Sequence, residues 1–411
     1  MTSESRAGRL GDFIELKRGY DLPQASRRPG PFPLVSSSGI TDSHDEAMVP
    51  GPGVITGRYG TIGQVFYVEQ DFRPLNTTLY VRDFKGNDPE FIGYFLRSVD
   101  FRAFSDKAAV PGINRNHVHE AQVSMPDLAA QRAIATVLSA LDDRIALLRE
   151  TNVTLEAIAQ ALFKSWFVDF DPVRAKQQGL VPVGIDEATA ALFPDSFQES
   201  SLGPIPSGWQ LSPVYEMATY INGAAYKAFD PNADRRGRPI IKIAELKSGV
   251  TAQTAFSAVE MHEKYLIRTG DILFSWSGNP DTSIDTFVWA HEAAWLNQHI
   301  FRVLPHTDTG RAFVLQLLRH LRPVFAELAR NKQTTGLGHV TVADMKRLLV
   351  AKPKAEVPTA FDHVAAPIQS RIFANEQQAQ TLATLRDTLL PRLIAGQLCL
   401  PEALVEMEEA T

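Results

Sequence analysis

The sequence predicts an α+β fold with an internal repeat of pseudo-two-fold character. Two similar mixed α/β domains alternate along the chain with two long helices, which pair as an antiparallel coiled coil. Three observations carry this. Residues 139–167, SALDDRIALLRETNVTLEAIAQALFKSWF, contain no Pro and no Gly. Their apolar stripe, Leu138, Leu141, Ile145, Leu148, Asn152, Leu155, Ala159, Leu162 and Trp166, steps alternately by 3 and 4, the seam of a coiled coil and narrower than the face of a core helix. A second helical stretch, HVAAPIQSRIFANEQQAQTLATLRDTLLPRLIAGQL, repeats this stripe at an offset of 227. Leu141, Leu155 and Leu162 map onto Ile368, Leu382 and Leu389, and Ile145 onto Ile372. Upstream of both helices the text also repeats. RPLNTTLYVRD (73–83) parallels AWLNQHIFRVL (294–304), each an extended run with Leu-Asn near its start.

Taken in order, residues 1–125 form the first domain. VPGPGVITGRYGTIGQVFYV reads as strand, Gly-bearing turn and strand, and PEFIGYFLRSVDFRAF as a helical stretch. Residues 126–170 are the first long helix, about 57 Å from Ala130 to Phe167 at ~1.5 Å per residue. A Pro- and Gly-bearing connector covers 171–204, and the second domain covers 205–351. There IRTGDILFSWSGNPDTSIDTFVW repeats the strand–turn–strand plan, and RAFVLQLLRHLRPVFAELAR is the helical stretch. Residues 352–411 hold the second long helix. At ~3.3 Å per residue the connector spans the helix in either direction, so its length does not choose between antiparallel and parallel pairing. With an antiparallel axis near Glu150, Asn152 faces Asn375, Leu155 faces Ile372, Ile145 faces Leu382 and Leu138 faces Leu389. The two seam asparagines then satisfy each other.

Composition narrows the function. Of 411 residues, 44% are hydrophobic and 21% charged, as in a soluble globular protein. No run of about 18 apolar residues exists, and the polar start lacks the apolar centre of a signal peptide. Cys399 is the only cysteine, so neither a disulfide framework nor a cysteine metal site is expected. A reducing cytoplasm, bacterial or archaeal, is the expected location. The net charge of −6 divides as −1, −5, +3 and −3 over residues 1–125, 126–204, 205–351 and 352–411. A polyanion should therefore meet the domains and not the acidic helices. There is no phosphate-binding loop and no G-x-G-x-x-G, and Asn279-Pro280-Asp281 falls short of an adenine-methyltransferase motif. No His, Cys or carboxylate set has metal-ligand spacing, and the ten histidines read as surface or capping residues. His117 and His119 would point to opposite sides of an extended segment. No catalytic and no metal-binding residue is assigned.

DLAAQRAIATVLSALDDRIALLRETNVTLEAIAQALFKSWFVDFDPV closely resembles the central helical region of specificity subunits of type I restriction–modification systems. The entry Met125-Pro126-Asp127-Leu128-Ala129-Ala130-Gln131-Arg132-Ala133-Ile134 has one proline where the family pattern has two, and Ala130 where it has Glu. GPIPSGW, LFSWSGNPDTSIDTFVW and LLPRLIAGQL also match, while the second entry, VPTAFDHVAAPIQSRI, has lost the Gln-Arg-x-Ile signature. The resemblance implies a non-catalytic reader of double-stranded DNA. Each domain would read one half of a split, asymmetric site. The helices would set the spacing and bind two modification (methyltransferase) subunits, with motor–nuclease restriction subunits completing the complex. No cofactor is expected in this chain; S-adenosylmethionine, ATP and Mg²⁺ would belong to those partners. A membrane role is not expected. The rival is a coiled-coil scaffold joining two protein-binding domains without DNA.

Base edges are read by Arg, Lys, Asn and Gln on firm turns. In the first domain the candidates are Arg58 and Tyr59 at a Gly-flanked tip, Asn114, Arg115, Asn116 and His117 in a later loop, and Asn76. In the second they are Ser275, Trp276, Ser277 and Asn279 at the matching tip, Lys332, Gln333, Thr334, Thr335 and His339 in the matching loop, and Asn297 with Gln298. Against this, Asn and Ser also cap turns, and Trp276 would serve equally as partly buried core.

Overall fold

The computed structural model describes residues 5–105, 112–333, 337–398 and 400–410. Thr334, Thr335 and Cys399 lie outside the described residues. The chain folds as two compact units, Met1–Leu147 with Gln378–Thr411, and Leu148–Gln377. Both long helices are divided between the units, which cuts across the five segments expected from the sequence.

In the first unit, an antiparallel sheet orders its strands Glu15–Arg18, Thr78–Asp83, Gly53–Gly57, Val65–Val68. A second sheet orders Gly39–His44, Phe32–Ser36, Arg73–Pro74, the last pair parallel. Arg6–Arg9 pairs with Gln122–Met125. Val35, Val49, Ile55, Val68, Phe72 and Tyr80 form a core between the strands. Helix Pro89–Arg97 starts where Asp88 accepts a hydrogen bond from the Phe91 N–H at 2.9 Å, with proline at its first position.

The second unit repeats this topology. One sheet runs Ala218–Asn222, Ile300–Pro305, Ile272–Ser275, Asp285–Val288. The other runs Phe256–Ser257, Arg238–Ile241, Ala294–Leu296, Leu266–Ile267, again with one parallel pair, Ile240 opposite Trp295. Gln210–Pro213 pairs with Leu349–Lys352. Helices Arg311–His320 and Arg322–Arg330 stand in the place of Pro89–Arg97. The internal repeat is therefore one of strand order and not of sequence wording alone.

The first long helix spans Leu128–Phe167, capped by Asp127, which accepts the Ala130 N–H at 2.8 Å. The second spans Glu356–Ile394. Residues 352–411 are not one helix. The second long helix ends at Gly396, φ +65°, where Gln397 N–H reaches back to the Arg392 carbonyl at 2.8 Å, and a separate helix, Leu400–Ala410, follows. Pairing is antiparallel. Within the second unit Asn375 lies beside Asn152 while Phe361 packs on Phe163, Trp166 and Phe167, so one helix ascends as the other descends. Asn375 donates through Nδ2 to Asn152 Oδ1 at 2.8 Å, and Asn152 donates to the Ile372 carbonyl at 3.0 Å. In the first unit Asp142 of one helix ion-pairs with Arg386 of the other.

Burial along the seam is uneven. Leu138, Leu141, Ile145, Leu148, Leu382 and Leu389 are buried, whereas Leu155, Leu162, Ile368 and Ile372 are only half-covered. Near the start of the first helix Ile134, Ala135 and Val137 are also buried, giving a face wider than a two-stranded seam. Its far end is different again. Phe163, Trp166 and Phe167 enter the core of the second unit with Trp209, Phe313 and Phe361. Trp166 thus ends as a domain-core residue. The connector is folded too. Helices Asp171–Gln177 and Glu187–Ala191 and a strand pair, Phe197–Gln198 with Ile205–Pro206, bring Val173, Phe193 and Ile205 into the same core. His117 and His119 also depart from expectation. They sit on the short helix Arg115–His119, because Asn114 caps it by accepting the Asn116 N–H at 3.0 Å.

Candidate nucleic-acid interface

In each domain the two candidate loops come together. In the first, strand Gly53–Gly57 delivers Arg58 and Tyr59, whose backbone N–H groups donate to the Thr77 carbonyl at 2.9 and 3.3 Å. Ile113 N–H returns to the Arg58 carbonyl at 3.0 Å, and Tyr59 bridges Gly112. Gly112 is required there, since a Cβ would stand 2.2 Å from the Tyr59 ring. The Arg58 guanidinium lies 4.5 Å over that ring, and its Nε donates to the Ile113 carbonyl at 3.4 Å. Arg115, Asn116 and His117 follow on the exposed side of the short helix.

In the second domain Ser277 pairs with His339 and Gly278 with Gly338, and Val340 N–H donates to the Trp276 carbonyl at 2.8 Å. Trp276 N–H donates in turn to the His299 carbonyl at 3.4 Å. The tip, the late loop and the segment after Leu-Asn thus converge in both copies, by the same kind of backbone pairing. Convergence is what a base-reading surface needs, because bidentate contacts tolerate little play.

Many of the candidates already have a partner. Asn76 donates to Asp21, and Asn114 serves as a helix cap. Asn279 accepts from the Asp281 and Thr282 N–H groups at 2.9 and 3.3 Å, closing its own turn. Lys332 ion-pairs with Asp344 at 2.5 Å, and the two hydrogen bonds it gives that carboxylate help hold its pKa low against the upward push of burial. Ser275 is fully buried and Asn297 nearly so, which withdraws both from the surface. Trp276 is half-buried. Its indole N–H donates to Asn222 Oδ1 at 3.1 Å, and its ring packs on Phe301 and His299. Side chains standing outward are Arg115, Asn116 and His117 in the first domain, with Ser277, Gln298 and His339 partly or fully exposed in the second. Gln333 is exposed beside the segment that is not described.

Sequence reading missed Asn222 and His299, which frame Trp276. His119, read from the sequence as a surface or capping residue, is half-buried; its Nε2 accepts the Leu16 N–H at 2.9 Å, and burial, aided by Arg115, lowers its pKa. Only the tertiary pairing identifies these. Among the described residues no three His, Cys, Asp or Glu side chains assemble as metal ligands, and no helix is long and apolar enough to cross a membrane.

The family profile described as type I restriction modification DNA specificity domain matches residues 3–157 and 206–385, one copy on each repeat. The chain belongs to this family. Among its relatives, the HindI specificity subunit of Haemophilus influenzae is 24% identical over 361 residues, covering 75% of this chain and 77% of that one. The MjaIX specificity subunit of Methanocaldococcus jannaschii is 22% identical over 347 residues, covering 82% and 76%. A crystal structure of the type I S subunit from M. genitalium shares the fold, at 15% identity and a TM-score of 0.54 over 95% of this chain and 96% of that one. This type I specificity chain therefore carries two DNA target recognition domains, and a DNA-free scaffold is disfavoured.

Proposed function

We propose that this specificity chain is the non-catalytic DNA reader of its complex. Each domain reads one half of a split asymmetric site through its converged tip and late loop. The paired helices fix the spacing and dock two modification subunits, and restriction subunits complete the enzyme. S-adenosylmethionine, ATP and Mg²⁺ are held by those partners. The observation that carries this reading is the duplicated surface, where tip and loop are joined by strand pairing at Tyr59–Gly112 and again at Ser277–His339. Two equivalent, independently built surfaces suit a bipartite target. The acidic helices suit contact with protein, since phosphate would repel them.

Exchange of residues 205–351 for the equivalent domain of a relative should change one half of the recognised site and leave the other. Methylome sequencing of cells carrying the hybrid reads this directly. A change in both halves overturns the two-reader arrangement.

A further inference from the structure

The two repeats differ sharply in charge at one place. Residues 19–46 and 223–259 correspond, each running from a glycine pressed against the Leu-Asn turn through a strand hairpin of the second sheet. A Cβ on Gly19 would stand 2.2 Å from the Leu75 carbonyl oxygen, and one on Gly223 2.2 Å from that of Asn297. The first-domain segment holds two basic and four acidic residues, the second-domain segment six basic and three acidic. In the first domain both arginines are neutralised, Arg28 by Asp45 at 2.9 Å and Arg27 by Asp42 at 3.9 Å.

In the second domain the cations rest on rings instead. Arg235 lies 4.5 Å over Phe256, Lys242 5.2 Å over Tyr226 and Arg238 5.8 Å over Trp295. Among the described residues, only Arg236 of this group has an ion-pair partner, Asp234 at 3.5 Å. A ring face holds a cation in place without cancelling its charge. The arginine turn is also built firmly. The Asn232 side chain accepts from the Arg236 N–H at 3.0 Å and donates to its carbonyl at 3.1 Å. Arg235 is held at φ +56°, and a Cβ on Gly237 would stand 1.9 Å from the Ser257 carbonyl oxygen. The row reaches the recognition tip. Ile241 accepts the Asn297 N–H at 3.1 Å, and Ile243 abuts Gly278.

We propose that Lys242, Arg238 and Arg235, with Arg236, form a phosphate-tracking strip that extends the second domain's DNA contact beyond its tip, with no equivalent in the first domain. The inference rests on the DNA-reading function above. Un-neutralised cations set along strand Arg238–Ile241 and the turns that flank it match the regular charge of a duplex backbone. Their contribution is to affinity and salt dependence, not to sequence choice.

The test uses the chain assembled with its modification subunits and a duplex carrying the recognised site. The triple variant R235Q/R238Q/K242Q should reduce the slope of log K against log salt by two to three, at ~0.9 per phosphate contact. R235Q alone should reduce it by about one, and the recognised sequence should stay unchanged. Ethylation interference should vanish at two or three phosphates beside the half-site read by the second domain, and at none beside the other. Specific binding with an unaltered slope in both variants overturns the strip. So does loss of modification-subunit assembly in the triple variant, which would make the strip a protein contact. Failure of the unmodified complex to bind the site would instead overturn the DNA-reading function itself.

Discussion

Asn375 is buried in the helix seam, a position where an amide without partners would cost ~1–3 kcal/mol. Its bond to Asn152, and the bond from Asn152 to the Ile372 carbonyl, remove most of that cost and tie the layer to one register. Asn375→Leu should therefore destabilise the chain by about 1–3 kcal/mol, because it strands the Asn152 oxygen. Joint replacement of both asparagines by Leu should restore much of the loss, and urea titration of the single and double variants reads the difference. Asp142 is a second such knot. It accepts from Tyr94 Oη at 2.7 Å and Arg97 at 3.2 Å and ion-pairs with Arg386, joining helix Pro89–Arg97 to both long helices. Burial pushes its carboxyl pKa up, but the Arg386 and Tyr94 hydrogen bonds outweigh that and leave it below the ordinary 3.8. A depressed carboxylate stabilises the fold above its unfolded pKa, and the contribution is lost as pH falls through the folded one. Asp142→Asn should cost about 1–3 kcal/mol at pH 7. The gap between variant and parent in urea should close only as pH drops below 3.8.

At the scale of elements, the long helices are not uniform rods. Their outer ends belong to domain cores, against one of which Leu162 packs, while Leu155, Ile368 and Ile372 stay half-covered. Gln131 shows how a helix is fastened to its domain. Only 2% exposed, it accepts the Asp88 N–H at 2.9 Å and donates to Asn87 Oδ1 and the Pro126 carbonyl, each at 2.8 Å. The second repeat lacks that glutamine. Asp362 does comparable work, accepting the Arg311 and Ala312 N–H groups at 2.8 Å and so capping helix Arg311–His320. Matched insertions of four residues after Glu150 and after Gln377 add about 6 Å and roughly one turn, so the seam is kept. The recognised spacer should lengthen by one or two base pairs at ~3.4 Å each, with both half-sites unchanged. An unchanged spacer in the methylome would mean that the helices do not set it.

At the scale of the molecule, charge governs how the chain meets DNA. With a net −6, and its positive excess confined to residues 205–351, the isolated chain has little general attraction for phosphate. The purified chain should bind its site weakly at physiological salt and gain affinity and specificity when modification subunits join. A mobility-shift titration with and without them measures this, and tight specific binding by the chain alone overturns it.

The sequence by itself determined the repeat, the two long helices and the asparagine layer. Heptad spacing and strand punctuation are local signals that survive without knowledge of neighbours. It also picked out the candidate loops that the fold brings together in each domain, because glycine-flanked turns announce themselves. What it could not assign was which side chains in those loops remain available. Asn76, Asn114, Asn279 and Lys332 look like readers in the text, and partners remote or local engage each of them in the fold. The reverse holds at Arg235, Arg238 and Lys242, plain charges in the sequence that the fold sets over the rings of Phe256, Trp295 and Tyr226. Periodicity is written along the chain, whereas hydrogen-bond partners and ring faces come from residues brought together only when the sheets form.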